Sequence, residues 1–152
     1  VFVTDKIDER LQIARKNGAV FTANPDSEDV VEKISGKVLE LLDVVFECCG
    51  QQDAIDNAVD LLKPGGKLMV IGIPDFDRWT LPVDKTRRKE ICIQNVRRQN
   101  EAVQPALDMI ASGEISVASM ATHRYSFEES KEAFDLVAAY GDGVMKAMID
   151  FK

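Results

Sequence analysis

Apolar residues in this chain follow two patterns in turn: short unbroken runs, and repeats at one-turn helical spacing. Val1-Phe2-Val3-Thr4 is a β-branched and aromatic run with no polar lead-in, which predicts a strand. Asp8 is placed to cap a helix carrying Leu11, Ile13 and Ala14, with Asn17-Gly18 as its left-handed stop. A short Val20-Phe21 strand, the turn Asn24-Pro25-Asp26-Ser27 and a helix carrying Val30, Val31 and Ile34 to Ser35-Gly36 come next. Val44-Val45-Phe46 and Leu68-Met69-Val70-Ile71 do not alternate, which predicts central strands of a parallel sheet buried on both faces. Between them Ala54, Ile55, Ala58, Val59 and Leu62 mark a helix that Lys63-Pro64-Gly65-Gly66 ends and turns into the next strand. Strand, helix, strand in that order predicts a right-handed crossover.

The segment Asp75 to Pro82 reads as irregular, and Ile91-Cys92-Ile93 as a further strand. Ala102, Val103, Ala106, Leu107 and Ile110 mark a helix stopped by Ser112-Gly113. Ser126 begins a capping box with Glu129, opening a helix with Ala133, Phe134 and Val137 expected in the core. Met145 to Phe151 predicts a closing strand with Lys146 and Asp150 to solvent. The expected fold is α/β: a Rossmann-like, doubly wound parallel sheet.

With 152 residues, 45% hydrophobic and 30% charged, the chain has material for one sizeable core. Lys and Arg total 19 against 26 Asp and Glu, a formal charge of −7, the wrong sign for tracking phosphate backbones. Nucleic acid is disfavoured as a partner. The apolar runs fall far short of the about 20 residues of a membrane span, so no membrane is expected and the location expected is cytoplasmic. Cys48, Cys49 and Cys92 lack the spacing of a zinc knuckle or disulfide framework, and buried, reduced thiols are expected.

Asp5 ends the first strand, where the second strand of a dinucleotide-binding fold carries its ribose-binding carboxylate. A helix-capping aspartate explains the same position equally well. If Asp5 does bind a ribose, the glycine loop belongs about 20 residues upstream, before residue 1. His123, the only histidine, reads as a structural hydrogen bonder. Thr86-Arg87-Arg88-Lys89 reads as a solvated face, and Trp79 suits either a subunit interface or core packing.

Four motifs in register resemble the C-terminal half of a medium-chain dehydrogenase. They are Val3-Thr4-Asp5 with Arg10; Phe46-Glu47-Cys48-Cys49-Gly50; Lys63-Pro64-Gly65-Gly66-Lys67 leading to Val70-Ile71-Gly72; and Ala121-Thr122-His123-Arg124-Tyr125-Ser126-Phe127 before Ala133-Phe134. Within that superfamily the likeness is to the zinc-dependent alcohol and sorbitol (polyol) dehydrogenase branch. The resemblance implies a partial NAD-binding Rossmann domain over residues 1–112 that starts at its second strand, and a segment over 113–152 that returns toward a catalytic domain.

It further implies that Asp5 holds the adenosine ribose of NAD and repels the extra phosphate of NADP, with Arg10 against the adenine or ribose. Cys48 and Cys49 would contact the coenzyme, and Ile71, Gly72 and Ile73 would flank the nicotinamide. Past Val96, Arg98 falls on the family's contacting arginine, whereas Arg97 and Gln99 replace the Phe and Tyr of the polyol branch and put a polyol substrate in doubt. Zinc would be held by ligands outside this chain, and no residue here is expected to be catalytic or metal-ligating. The implied protein is an oligomeric NAD-dependent oxidoreductase of a small-molecule alcohol, of which this chain alone is inactive. Two alternatives stay open: a non-catalytic α/β interaction or oligomerisation module, and a nucleotide-binding or methyltransferase-like domain in which Asp5 again holds a ribose. A sheet lacking its first strand also leaves an apolar edge, which predicts association with a second copy or dependence on further chain.

Overall fold

The computed structural model describes residues 1–151, and its strands are parallel in every pairing. The expected α/β class is the observed one. The strands lie in three sheets of two, three and two strands rather than in one continuous layer. The chain divides into two compact units, Val1–Glu28 with the chain from Ala102 onward, and Asp29–Glu101.

In the first unit β1 (Phe2–Thr4) pairs with β2 (Phe21–Ala23) through α1 (Asp8–Lys16). Gly18 takes φ +95° just past the helix, the left-handed stop that Asn17-Gly18 predicts. The expected Asp8 cap is not formed. Ile7 is the N-cap residue, and Asp8 is already helical, with its Oδ1 accepting from Asn24 Nδ2 at 2.8 Å. The carboxylate that orders the helix entry is Asp5, whose Oδ1 accepts from the Ile7 N–H at 2.9 Å. Helix α5 (Val103–Ala111) forms as its periodicity predicts, yet none of its residues is buried.

Later in this unit β6 (Ala121–Ser126) pairs with β7 (Lys146–Asp150), linked by α6 (Ser130–Ala138). The Ser126–Glu129 capping box is present and opens a single 3-10 turn before α6. Ala133 is buried, whereas Phe134, 71% exposed, and Val137 are not. Nine residues of helix over a two-stranded sheet bring one narrow stripe inside: Phe134, one position on from Ala133, lies off it, and Val137, although on Ala133's side of the helix, lies at its uncovered edge. Asp150 is half-buried and pairs with Arg124 at 2.7 Å instead of facing open solvent.

The second unit runs α2 (Val30–Ser35), β3 (Leu42–Glu47), α3 (Gln52–Leu61), β4 (Leu62–Val70), α4 (Val83–Arg88) and β5 (Cys92–Asn95), with sheet order β3-β4-β5. Its core is Ile55, Ala58, Leu62, Leu68 and Val70, against which Trp79, Leu81, Ile91 and Ile93 pack. Trp79 is thus a core-packing residue within this unit. Lys63-Pro64-Gly65-Gly66 does not separate helix from strand. It lies inside β4, where the register with β3 shifts between Leu42 and Val44, and Gly65, at φ +74°, donates its N–H to Lys89 O at 2.7 Å.

The expectation that both strand runs are buried on two faces fails for β3. Register puts Val45, Leu68 and Ile93 on one face and Val44, Lys67 and Cys92 on the other, with Phe46 beside Met69. The first face meets α3. On the second, Phe46 is 63% exposed, so a run that looks doubly buried is here half-covered.

The solvated-face reading of Thr86 to Lys89 holds except at its end. Arg87 and Arg88 pair with Asp84 on the surface. The Lys89 Nζ instead donates to the carbonyls of Val59, Asp60 and Leu62 at 2.9, 2.8 and 2.7 Å, capping the C-terminal end of α3, and desolvation there lowers its pKa. Lys89→Met keeps the apolar stem and removes the cation, so urea denaturation is expected to show a loss of about 2 kcal/mol. An unchanged midpoint would mean that water satisfies those carbonyls equally well.

Candidate functional site

In a parallel α/β sheet, ligands collect at the carboxyl ends of the strands, where the loops that follow them converge. In the first unit that position belongs to Asp5, the residue immediately after β1. Its N–H donates to Ala23 O at 3.3 Å, keeping it in line with the end of β2, and its carboxylate is half-buried. Ile7 engages one carboxylate oxygen, Oδ1, so Asp5 orders the turn into α1. Around it the loop ends are tied by Asn24 Nδ2, which donates to Lys6 O at 3.1 Å, and by a Lys6–Asp26 ion pair at 3.1 Å. Arg10 points to the end of the chain: its Nε and Nη2 donate to Val144 O at 2.9 and 2.6 Å, and the guanidinium lies 5.6 Å from the Tyr140 ring centroid.

In the second unit the ends of β3 and β4 bring Cys48, Cys49, Ile71, Gly72 and Ile73 together around a residue that sequence reasoning passed over, Glu47. Its backbone carbonyl accepts from Ile71 N at 2.8 Å and Gly72 N at 3.0 Å. Its side-chain Oε1 accepts from Cys49 N at 2.7 Å and Gly50 N at 2.6 Å. Glu47 is 3% exposed and its Oε2 has no hydrogen-bond partner. The available signal is an acid closing the apolar run Val44-Val45-Phe46 directly before Cys48-Cys49-Gly50, the place where a carboxylate can cap a turn.

Gly72 is required by this neighbourhood. A Cβ on it would stand 2.2 Å from Gly50 N and 2.5 Å from Glu47 Oε2. Gly50, at φ +72°, approaches the Ile73 carbonyl in the same way, with a Cβ position 2.5 Å from that oxygen. The close approach at Gly72 is thus made by the protein's own backbone and the Glu47 carboxylate.

Cys48, Cys49 and Cys92 are free and exposed, which corrects the expectation of buried thiols: strand ends and an outward-facing register place them at the surface. Desolvation and the Glu47 carboxylate push the Cys49 thiol up to about 11, and the same two causes raise Cys48. Val96 is tied to β4 through its N–H on Val70 O at 2.9 Å; Arg98 is exposed at φ +54°. His123 sits between Thr122 Oγ1 at 2.9 Å and Asp142 Oδ2 at 3.3 Å, away from the strand-end loops of its unit.

At the start of α3, Gln52 donates to Thr80 O at 2.8 Å and accepts from Thr80 N at 2.9 Å, fixing the loop after β4. An open depression of about 500 Å³ lies there, lined by Gln52, Phe76, Asp77 and Arg78. Among the described residues no group of three or more His, Cys, Asp or Glu could hold a metal ion. No helix among them is long and apolar enough to cross a membrane.

Comparison with known proteins agrees with this layout. The family model described as zinc-binding dehydrogenase matches residues 1–112. Sorbitol dehydrogenase 1 of Saccharomyces cerevisiae is 31% identical over 98% of this chain and 44% of its own length. The sorbitol dehydrogenase of Bacillus subtilis is 27% identical over 98% of this chain and 42% of its own. Among solved structures, a protein of Sinorhizobium meliloti 1021 described as a zinc-binding dehydrogenase and bound to NADP superposes with a TM-score of 0.86 at 26% identity, over 99% of this chain and 45% of its own. An alcohol dehydrogenase of Escherichia coli CFT073 complexed with NADH shares the fold, with a TM-score of 0.88 at 22% identity, over 99% of this chain and 44% of its own. The chain spans less than half the length of these relatives.

Proposed function

The chain belongs to the zinc-binding dehydrogenase family, and from that premise we propose that it is the coenzyme-binding C-terminal portion of a cytoplasmic, oligomeric, NAD-dependent alcohol or polyol dehydrogenase. In this reading residues 1–112 form the coenzyme domain from its second strand, and residues 113–152 return toward the catalytic domain. The observation that carries it is Asp5, a half-buried carboxylate at the carboxyl end of a parallel strand.

In this proposal Arg10 borders the adenosine. Cys48, Cys49, Ile71, Gly72, Ile73, Val96 and Arg98 shape the nicotinamide end. NAD supplies the hydride acceptor when bound. The residues of this chain bind and orient it, and its exposed apolar side chains Ile71 and Ile73 exclude water from the reacting face. Zinc, for which the described residues form no ligand set, belongs in this reading to the remainder of the parent protein, and this chain alone is inactive.

The test is a coenzyme-reduction assay of the full-length protein with NAD and NADP against a panel of secondary alcohols and polyols. NAD-linked turnover of at least one is expected. Absence of turnover together with calorimetry showing no NADH binding would favour the alternative of a non-catalytic α/β interaction module.

A further inference from the structure

We infer that Glu47 is a positioning residue for the coenzyme: its carboxylate fixes the loop after β3 against the loop after β4 and so sets the surface on which the nicotinamide end rests, without touching it. The inference deepens the proposed function and rests on that reading for what occupies the surface.

Glu47 acts through two separate groups. Its backbone carbonyl gathers the N–H groups of Ile71 and Gly72, and its side-chain Oε1 gathers those of Cys49 and Gly50. One residue therefore satisfies four donors from two loops that are over 20 positions apart in sequence. The remaining oxygen, Oε2, lies 2.5 Å from where a side chain on residue 72 would begin, and the Gly50 N–H lies 2.2 Å from the same point. The two loops are consequently packed backbone to backbone, with the carboxylate as the spacer between them.

Stability alone gives no account of this arrangement. A buried carboxylate with an unpaired oxygen is an expensive way to cap a turn, and a buried polar group left unsatisfied calls for a functional explanation. Asparagine or serine would cap the Cys49 and Gly50 N–H groups from a shorter side chain. The reach of glutamate is needed if the distance between the two strand-end loops is itself the property being held. Ile71 and Ile73 flank the Gly72 backbone and stand exposed, so any drift of this joint moves both side chains. Catalytic-site geometry tolerates little such drift.

The test compares Glu47→Ala and Glu47→Gln in the full-length enzyme. Glutamine retains an acceptor of the same reach, so it should hold both loops, whereas alanine should release them. Glu47→Ala is expected to raise the coenzyme KM about tenfold with kcat within about threefold, and Glu47→Gln to restore KM to within about threefold of the parent. Amide exchange at Cys49 and Gly50 should be fast in the alanine variant and protected in the glutamine variant. A folded Glu47→Ala protein with unchanged KM and unchanged exchange would overturn the inference, as would a glutamine variant no better than alanine. If Glu47→Ala does not fold, the glutamine variant decides: parental KM and protection support the joint, and their loss rejects it. If the parent enzyme uses no nicotinamide coenzyme, the functional reading fails. The exchange data from the glutamine and alanine variants then judge the joint separately, and equal protection in both rejects it.

Discussion

Asp5→Ala in the full-length enzyme is expected to lower kcat/KM for NAD about 10- to 150-fold, the equivalent of one charge-assisted hydrogen bond of about 1.5–3 kcal/mol. The loss should fall on NAD and scarcely on NADP, because the carboxylate attracts a ribose hydroxyl and repels a phosphate at the same place. The NAD to NADP preference therefore collapses along with the affinity. Geometry supplies a control. Asp5 Oδ1 is engaged with Ile7 N at 2.9 Å, so part of any loss on truncation comes from a disordered entry to α1. Asp5→Asn can keep that bond while removing the charge, and should relax the discrimination against NADP with a smaller fall in NAD affinity. Kinetics in which both variants leave the NAD to NADP ratio at its parental value would remove Asp5 from the coenzyme site and return it to its role in the turn.

Most of the element order was legible in the sequence because it depends on local signals. The runs Val1-Phe2-Val3-Thr4 and Leu68-Met69-Val70, the left-handed Gly18 and Gly113, and the Ser126–Glu129 capping box each act within a few residues, and each appears where the pattern puts it. What the pattern missed depends on neighbours remote in sequence. Phe46 and Phe134 are apolar at the expected spacing, yet whether they are covered depends on which layer lies opposite, and no local rule carries that information. Lys63-Pro64-Gly65-Gly66 has the composition of a turn, and it becomes part of β4 because Leu62 pairs with Leu42 across a register shift. Lys89 looks like one more solvated cation in a basic run until the end of α3 arrives with three bare carbonyls. At the candidate site Asp5 was visible as an acid closing a strand, a position that helix capping explains equally well. Glu47 was not, because an acid after an apolar strand is ordinary until its burial is known.

Gly72→Ala is expected to lower stability by about 3 kcal/mol, or roughly 10 °C in Tm for a chain of this size. The added carbon would sit 2.2 Å from Gly50 N, 2.5 Å from Glu47 Oε2 and 2.8 Å from Gly50 Cα. Two of those three atoms are backbone. The third belongs to a buried carboxylate held by two N–H groups, so none of the three can move aside cheaply. Gly65→Ala is the comparison: residue 65 has nothing within 4 Å of its Cβ position and only its φ of +74° to strain, a cost of about 1 kcal/mol. The pair separates collision from conformational strain. Combining Gly72→Ala with Glu47→Ala removes one of the three obstructing atoms and leaves Gly50, so the double variant should recover only part of the loss, with a coupling of about 1 kcal/mol. Denaturation showing Gly72→Ala no worse than Gly65→Ala would mean that the two strand-end loops separate easily, and the joint around Glu47 could then not hold a coenzyme surface in place.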